Sequence, residues 1–233
     1  GRGAGAAPVP ARRAGARRER VLGVGLVVSL ALFALLAASY RGEVGEADRE
    51  VAGWVARELP SPVEWAARPF SWLGGWIGLT ALGVAAGLSL LRARAWLDVG
   101  FLLASFLGSQ LTVAALKAGF DRARPDVGSA VPLPDSPAFP SGHATAGAAS
   151  LGALAVLLSE RLPSPRARVR LWAATVVLGV GVGLSRVALN VHYVSDVLAG
   201  WCFGLAWLAA CLLLRERLRR RPRRAPRGRQ ATL

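Results

Sequence analysis

Ser185-Arg186-Val187-Ala188-Leu189-Asn190-Val191-His192-Tyr193-Val194-Ser195-Asp196 joins two apolar runs, each long enough to cross a bilayer. It puts an arginine, a histidine and an aspartate where hydrocarbon gives way to water. His192 is one of two histidines in the chain. If residues 192–196 are helical, His192 and Asp196 share a face, because i and i+4 stack on a helix. A carboxylate there can hold one ring nitrogen and leave the other free to act on a substrate. Taken alone, the stretch reads equally well as a polar cap on a transmembrane helix. The rest of the chain decides between the two.

The runs on either side are Leu171 to about Leu189 and about Val194 to Leu214. Working back from them, the spacing predicts earlier spans at Val21–Ser39, about Trp72–Leu91, about Leu97–Leu116 and about Ser141–Ser159. The first is longer than the apolar core of a signal peptide and reads as a retained helix; cleavage after Ala37-Ala38-Ser39 is the alternative. Between spans one and two, Val51, Trp54, Val55 and Leu59 recur at helical spacing, which predicts a short helix on the membrane surface. Pro60, Pro62 and Pro69 are expected to end it and to break up the residues leading into span two. The expected fold class is all-α, a six-transmembrane-helix bundle over residues 21–214. Basic tails at 1–20, expected to be disordered, and at 215–233 flank it.

Composition agrees. The 233 residues are 53% hydrophobic, with a mean hydropathy of +0.40, too apolar for an ordinary soluble domain. The net charge of +15 comes mostly from arginines at the two ends. Such a charge can mark a nucleic-acid binder, but these arginines flank apolar runs and no recognition module accompanies them. Tails lying on anionic lipid account for them better, with no specific nucleic-acid partner. Cys202 and Cys211 fall in one run, about 13 Å apart along a helix, too far for a disulfide.

Six spans leave both termini on one side. The tails, the Arg92/Arg94 turn and the Arg161–Arg170 loop share that side, and the opposite 41–70 loop carries more acids than bases. The positive-inside rule makes the basic side cytoplasmic in a multi-pass cell-membrane protein. The 117–143 loop and the His192 corner then face outward. Gly179 and Gly183 form a small-residue face for close helix packing.

Three clusters lie on that outer side: Lys117-Ala118-Gly119-Phe120-Asp121-Arg122-Ala123-Arg124-Pro125, Phe139-Pro140-Ser141-Gly142-His143-Ala144, and the opening stretch. Both histidines and the single lysine, against 28 arginines, fall inside them. The residue types suit a phosphate. Lys117, Arg124 and Arg186 can surround its oxygens, Arg as a fork and Lys as a point charge. Ser141 and Gly142 open an apolar helix, whose N-terminus attracts anions. Gly142 allows close backbone approach. Ser141 can cap the helix, donate to phosphate, or both. His192, oriented by Asp196, is the candidate nucleophile and His143 the candidate general acid. No metal-binding cluster is evident, so fixed cations would neutralise charge. The two histidines and Asp196 could hold a metal, but three Arg/Lys groups around them oppose a cation.

The pattern Lys-x6-Arg-Pro, Pro-Ser-Gly-His, Ser-Arg-x5-His-x3-Asp, in order over residues 117–196, resembles the type 2 phosphatidic acid phosphatase (PAP2) superfamily. These are membrane lipid phosphatases related to the vanadium haloperoxidases. The resemblance implies an all-helical fold with a haloperoxidase-like active-site core, no cofactor, and metal-independent hydrolysis through a phosphohistidine. It assigns phosphate binding to Lys117, Arg124, Ser141, Gly142 and Arg186, acid catalysis to His143, attack to His192 and orientation to Asp196. Arg122 matches a frequent second arginine, secondary to Arg124. Val194 stands where many relatives have proline.

The partners implied are the bilayer and a membrane lipid phosphate or diphosphate, with undecaprenyl diphosphate favoured over phosphatidate or phosphatidylglycerol phosphate. Two alternatives keep the same pocket: transfer of the phosphoryl group to another lipid or a sugar, and a non-catalytic binder or transporter of anionic lipid. Asp98 reads as interfacial. Gln110 and Thr112 read as packing between helices.

Overall fold

Hydropathy and proline placement divide the chain into crossing helices and the pieces between them. The computed structural model describes residues 9–40 and 43–220, the side chains of 9–14 excepted. Residues 1–8 and 221–233, parts of the two expected tails, lie outside the described residues. Among the described residues every regular element is helical.

Helix α1 runs Val9–Ser39, α2 Glu46–Glu58, α3 Ser61–Gly74 and α4 Trp76–Arg92. The third crossing is α5, Trp96–Leu103, a π turn at Ala104–Gly108, and α6, Ser109–Phe120. The fourth is α7, Gly142–Ala146, a π turn at Gly147–Leu151, and α8, Gly152–Ser159. Helices α9, Pro165–Ala188, and α10, Val194–Arg220, complete the bundle. Five stretches are each long and apolar enough to cross a membrane: Gly15–Ser39, Trp96–Phe120, Gly142–Ser159, Pro165–Ala188 and Val194–Arg220. The pair α3 and α4, bent by 44° between them, is the sixth candidate.

Several boundaries differ from the sequence expectation. Residues 9–20 are helical and extend α1 below its apolar run. Alanine and arginine are good helix formers. Ion pairs Arg18–Glu216 at 2.9 Å and Glu19–Arg220 at 3.0 Å hold this extension against α10. Likewise α10 continues past Leu214 to Arg220, because Arg215 is not a tail residue. It is 1% exposed and lies under Phe101. Its guanidinium donates to Asp98 Oδ1 at 2.6 Å and to Glu160 Oε1 at 2.7 Å. Asp98 is therefore half of a latch joining three crossings. The apolar core beside it contains Leu90, Phe101, Leu102, Val156, Leu157, Leu208 and Leu212.

Pro69 does not break its segment: α3 passes through it, and the bend falls at Gly75. Proline is tolerated in the first turn, where Pro62 sits, and elsewhere at the loss of one hydrogen bond. Packing on α9 holds α3 together. A Cβ at Gly74 would stand 2.1 Å from Val182, and one at Gly181 2.5 Å from Phe70.

A contact of helix directly on backbone lies elsewhere than at the expected glycines. A Cβ on Gly200 would stand 2.7 Å from the Ser141 carbonyl oxygen, and one on Gly204 2.6 Å from that of Thr145. Gly200 and Gly204 thus bring α10 onto the backbone of α7, the small-residue mode of membrane helices. Gly183 is packed against Trp201, but a Cβ on Gly179 would meet nothing within 4 Å. Gly179 contributes its carbonyl, which accepts from Trp201 Nε1 at 3.2 Å, and its Cα, 3.9 Å from where a Cβ on Gly147 would stand.

Candidate active site

The corner between α9 and α10 is built by its own backbone. Leu189 and Asn190 N–H donate to Ser185 and Val187, and Val191 and His192 N–H both donate to the Arg186 carbonyl. Asn190 takes the left-handed conformation, φ 53°, which asparagine accepts more readily than most residues. Its amide donates to the carbonyls of Val127 at 2.7 Å and Gly128 at 2.9 Å, tying the corner to the 121–141 loop. Asp196 Oδ2 accepts the Tyr193 N–H at 2.9 Å, half of a capping box that starts α10. The same oxygen faces His192 Nδ1 at 3.4 Å. His192 precedes α10 and is not helical, so the two side chains meet across the start of α10 and not as i and i+4 of one helix.

The other two clusters close on this corner. Ser141 N–H donates to the Asp196 carbonyl at 3.0 Å, which fixes the start of α7. Arg124 Nη1 donates to the Val191 carbonyl at 2.7 Å and stands 3.2 Å from His192 Nε2. Lys117 Nζ donates to the Pro137 carbonyl and Arg186 Nη1 to Ser71 Oγ. Arg186 Nε is buried without a partner among the described residues.

A cavity of about 530 Å³ lies between these groups. Lys117, Arg124, Gly142, His143, Arg186 and His192 all line it. Its lining also includes the apolar side chains of Leu79, Phe106, Leu107, Val113 and Ala146. Burial, with the Arg124, Arg186 and Lys117 cations nearby, holds the His192 imidazole well below its ordinary range. Its ring is neutral at physiological pH, the form in which nitrogen can attack.

The remaining residues singled out in the sequence fall as follows. Ser141 is fully buried and does not line the cavity; its hydroxyl oxygen accepts the Ala144 N–H at 3.4 Å, so it caps α7. Gln110 lines the cavity instead of packing only between helices, and its amide lies 3.5 Å from the Gly142 carbonyl. Thr112 does turn back onto its own helix, donating to Gly108 at 2.8 Å. Arg122 is 2% exposed and lies behind Asp196, not in the cavity. It donates to Asp196 Oδ1 at 2.6 Å and to Asp48 Oδ2 at 2.8 Å.

Asp48 was invisible to motif reading. The one available signal was that Asp48, Ala52 and Val55 repeat at i, i+4 and i+7, and these are the buried face of α2. The expected surface helix exists, with Trp54 exposed, but its inner face carries an acid.

Comparison with known proteins agrees with this geometry. The PAP2 superfamily model matches residues 98–220. Phosphatidylglycerophosphatase B of Bacillus subtilis is 35% identical over 123 residues, 52% of this chain and 59% of that protein. Decaprenylphosphoryl-5-phosphoribose phosphatase of Mycolicibacterium smegmatis is 36% identical over 129 residues, 54% of this chain and 62% of that protein. The chain thus spans about six-tenths of the length of these curated relatives. Lipid A 1-phosphatase of Rhizobium johnstonii is 30% identical over 178 residues, 66% of this chain and 68% of that protein. The crystal structure of a transmembrane PAP2 type phosphatidylglycerolphosphate phosphatase from Bacillus subtilis superposes with a TM-score of 0.77. It is 28% identical and covers 84% of this chain and 98% of its own. With the family model matching more than half its length and an all-helical membrane relative superposing on its fold, the chain belongs to the PAP2 superfamily.

Proposed function

We propose that this protein hydrolyses a phosphate or diphosphate ester of a membrane lipid, without a metal, through a phosphohistidine. The observation that carries this is the convergence of Lys117, Arg124, Arg186, His143 and His192 on one cavity that apolar side chains also line. The cations and the Gly142 backbone receive the phosphate oxygens, and the apolar side chains take the first part of the lipid tail. His192 Nε2 attacks phosphorus; a P–N bond forms as the P–O bond breaks, and His143 gives its proton to the leaving oxygen. Asp196 holds Nδ1–H and balances the ring's positive charge. Water then attacks phosphorus, His143 takes its proton, and inorganic phosphate leaves His192 neutral again. Three fixed cations do the work a metal would do and repel one.

The relatives named above act on lipid phosphates of quite different headgroups, so the substrate class is the phosphorylated lipid. Undecaprenyl diphosphate is the favoured member. The test is phosphate release by purified protein in detergent with EDTA, offered undecaprenyl diphosphate, phosphatidate and phosphatidylglycerol phosphate. Undiminished release from at least one of them is expected. Release only after metal addition, accumulation of a phosphorylated acceptor in place of free phosphate, or binding without turnover would each refute it.

The active site faces outward on this proposal, with both termini cytoplasmic. What supports it is charge. Arg92, Arg94 and the Arg161–Arg170 segment lie at the helix ends opposite the cavity. A cysteine placed at exposed Asp135 should react with a membrane-impermeant maleimide in intact cells, and one at Arg94 should react only after lysis. The reverse pattern would invert the topology.

A further inference from the structure

Behind His192 and Asp196 lie two buried charges, Arg122 and Asp48, that the mechanism above does not use. Asp196 Oδ1 accepts from Arg122 Nη1 at 2.6 Å, and Arg122 Nη2 donates to Asp48 Oδ2 at 2.8 Å. Asp196, Arg122 and Asp48 are 0%, 2% and 9% exposed. The rings of Tyr40 and Tyr193, each 4.8 Å from the guanidinium carbon, enclose Arg122. Helix α2 is pinned to the catalytic corner by three hydrogen bonds. Ser195 N–H donates to Asp48 Oδ1 at 3.1 Å, the Ser195 hydroxyl donates to Asp48 Oδ2, and the Asn190 amide donates to the Ala52 carbonyl at 3.3 Å.

We propose that Asp48 is a positioning residue for phosphoryl transfer: by balancing Arg122, it leaves Asp196 a full negative charge to offer the His192 imidazolium. The proposal rests on the phosphatase reading above. Asp48, Arg122 and Asp196 sum to one negative charge while His192 is neutral, and to zero once the ring carries the phosphoryl group. Without Asp48 the sums are zero and one positive, in a buried region where an uncompensated charge is costly. An unbalanced Arg122 would also compete with His192 for both Asp196 oxygens, since its fork fits a carboxylate bidentately. Every other charged or titratable group facing His192 works the opposite way: Lys117 from α6, Arg124 from the loop, Arg186 from α9, and His143 from α7 whenever it is protonated. Negative charge behind Asp196 is therefore in demand.

The test uses the full-length protein and dioctanoyl phosphatidate in detergent micelles, with kcat and KM followed across pH. Asp48→Asn keeps the side-chain volume and an acceptor for Ser195 N–H but deletes the charge. Expected are a kcat about tenfold lower, a KM within about twofold of wild type, and an acid limb of kcat about one pH unit lower. The sign is set by the nucleophile. His192 must be unprotonated to attack, and with less negative charge behind it the ring gains a proton only at lower pH. Arg122→Gln should move the limb upward, and adding Asp48→Asn to it should bring the limb back down. That pair carries the test if Asp48→Asn alone does not fold, because it removes the ion pair whole. Substrate ionisation is common to all variants and cancels in the comparison. A lower kcat with an unmoved limb, or a double variant whose limb stays with that of Arg122→Gln, overturns the proposal, since Asp48 then only braces α2. An inactive wild type overturns the phosphatase reading and the proposal with it; an active wild type with an unmoved limb overturns the proposal alone.

Discussion

Phosphate release should fall by about 10⁴-fold or more when His192 is replaced by alanine, the scale seen when a covalent nucleophile is removed. The size of the loss reflects the other groups in the cavity. Lys117 donates to the Pro137 carbonyl, and the two arginines have no nucleophilic lone pair to offer. His143 faces the same space but has no carboxylate partner among the described residues, whereas His192 has Asp196 at 3.4 Å. On the proposed mechanism the three cations remain to hold phosphate without His192, so KM should change far less than kcat. The thermal midpoint of the variant in detergent separates lost chemistry from lost fold. A second measurement ties the loss to the proposed intermediate. Acid-quenched wild type should not retain labelled phosphate, whereas alkali-quenched wild type should carry it on His192. Label on any other residue, or activity within about tenfold of wild type in His192→Ala, would end the phosphohistidine mechanism.

Gly200→Leu should be the most damaging change away from the chemistry. The Cβ it adds would stand 2.7 Å from the Ser141 carbonyl oxygen, 2.8 Å from Ala144 Cβ and 3.3 Å from the Thr145 nitrogen. Two of these are backbone atoms of α7, held by their own helix, and cannot swing aside as a side-chain tip would. Overpacking in a well-packed core costs about 1–3 kcal/mol, and backbone that cannot retreat puts this case at the upper end or beyond. The effect reaches the site because Ser141 N–H is bonded to the Asp196 carbonyl across the same contact. Pushing α10 from α7 separates His143 from the His192–Asp196 pair. Gly179→Leu is the control, since a Cβ there would meet nothing within 4 Å among the described residues. Thermal unfolding in detergent should show a markedly lower midpoint for Gly200→Leu and little change for Gly179→Leu. Equal midpoints would show that the α7–α10 approach is not tight.

These two glycine pairs show what sequence could and could not reveal. Gly179-x3-Gly183 and Gly200-x3-Gly204 have the same spacing, and nothing local says which backbone meets another. Only the tertiary arrangement separates Gly200, against a carbonyl, from Gly179, beside open space. The site's cationic and imidazole groups were legible because their chemistry is scarce in this chain: one lysine and two histidines, all converging on the cavity. Ser141 was ambiguous because capping and anion binding favour the same residue at the same place, and here the hydroxyl is buried as a cap. Arg122 and Arg124 are two apart, and spacing alone cannot say which of them faces inward. Asp48 lay in a stretch read for its apolar face, Val51, Trp54, Val55 and Leu59, and its acid was not singled out. Arg215 was hidden among tail arginines of identical type, and only its two carboxylate partners on distant helices mark it as structural.

The π turn at Ala104–Gly108 separates the two working ends of the third crossing. On one side are Asp98 and Phe101, which engage Arg215; on the other are Gln110 and Lys117, which line the cavity. A π turn inserts about one residue into the helical count, and one residue is about 100° of rotation. The Ala104 carbonyl within it accepts the Trp207 indole N–H at 2.9 Å, which clamps the irregularity in place. That single inserted residue acts as a phase shifter: it lets one rod aim its anchor and its lysine in directions that an uninterrupted helix of the same length could not serve together.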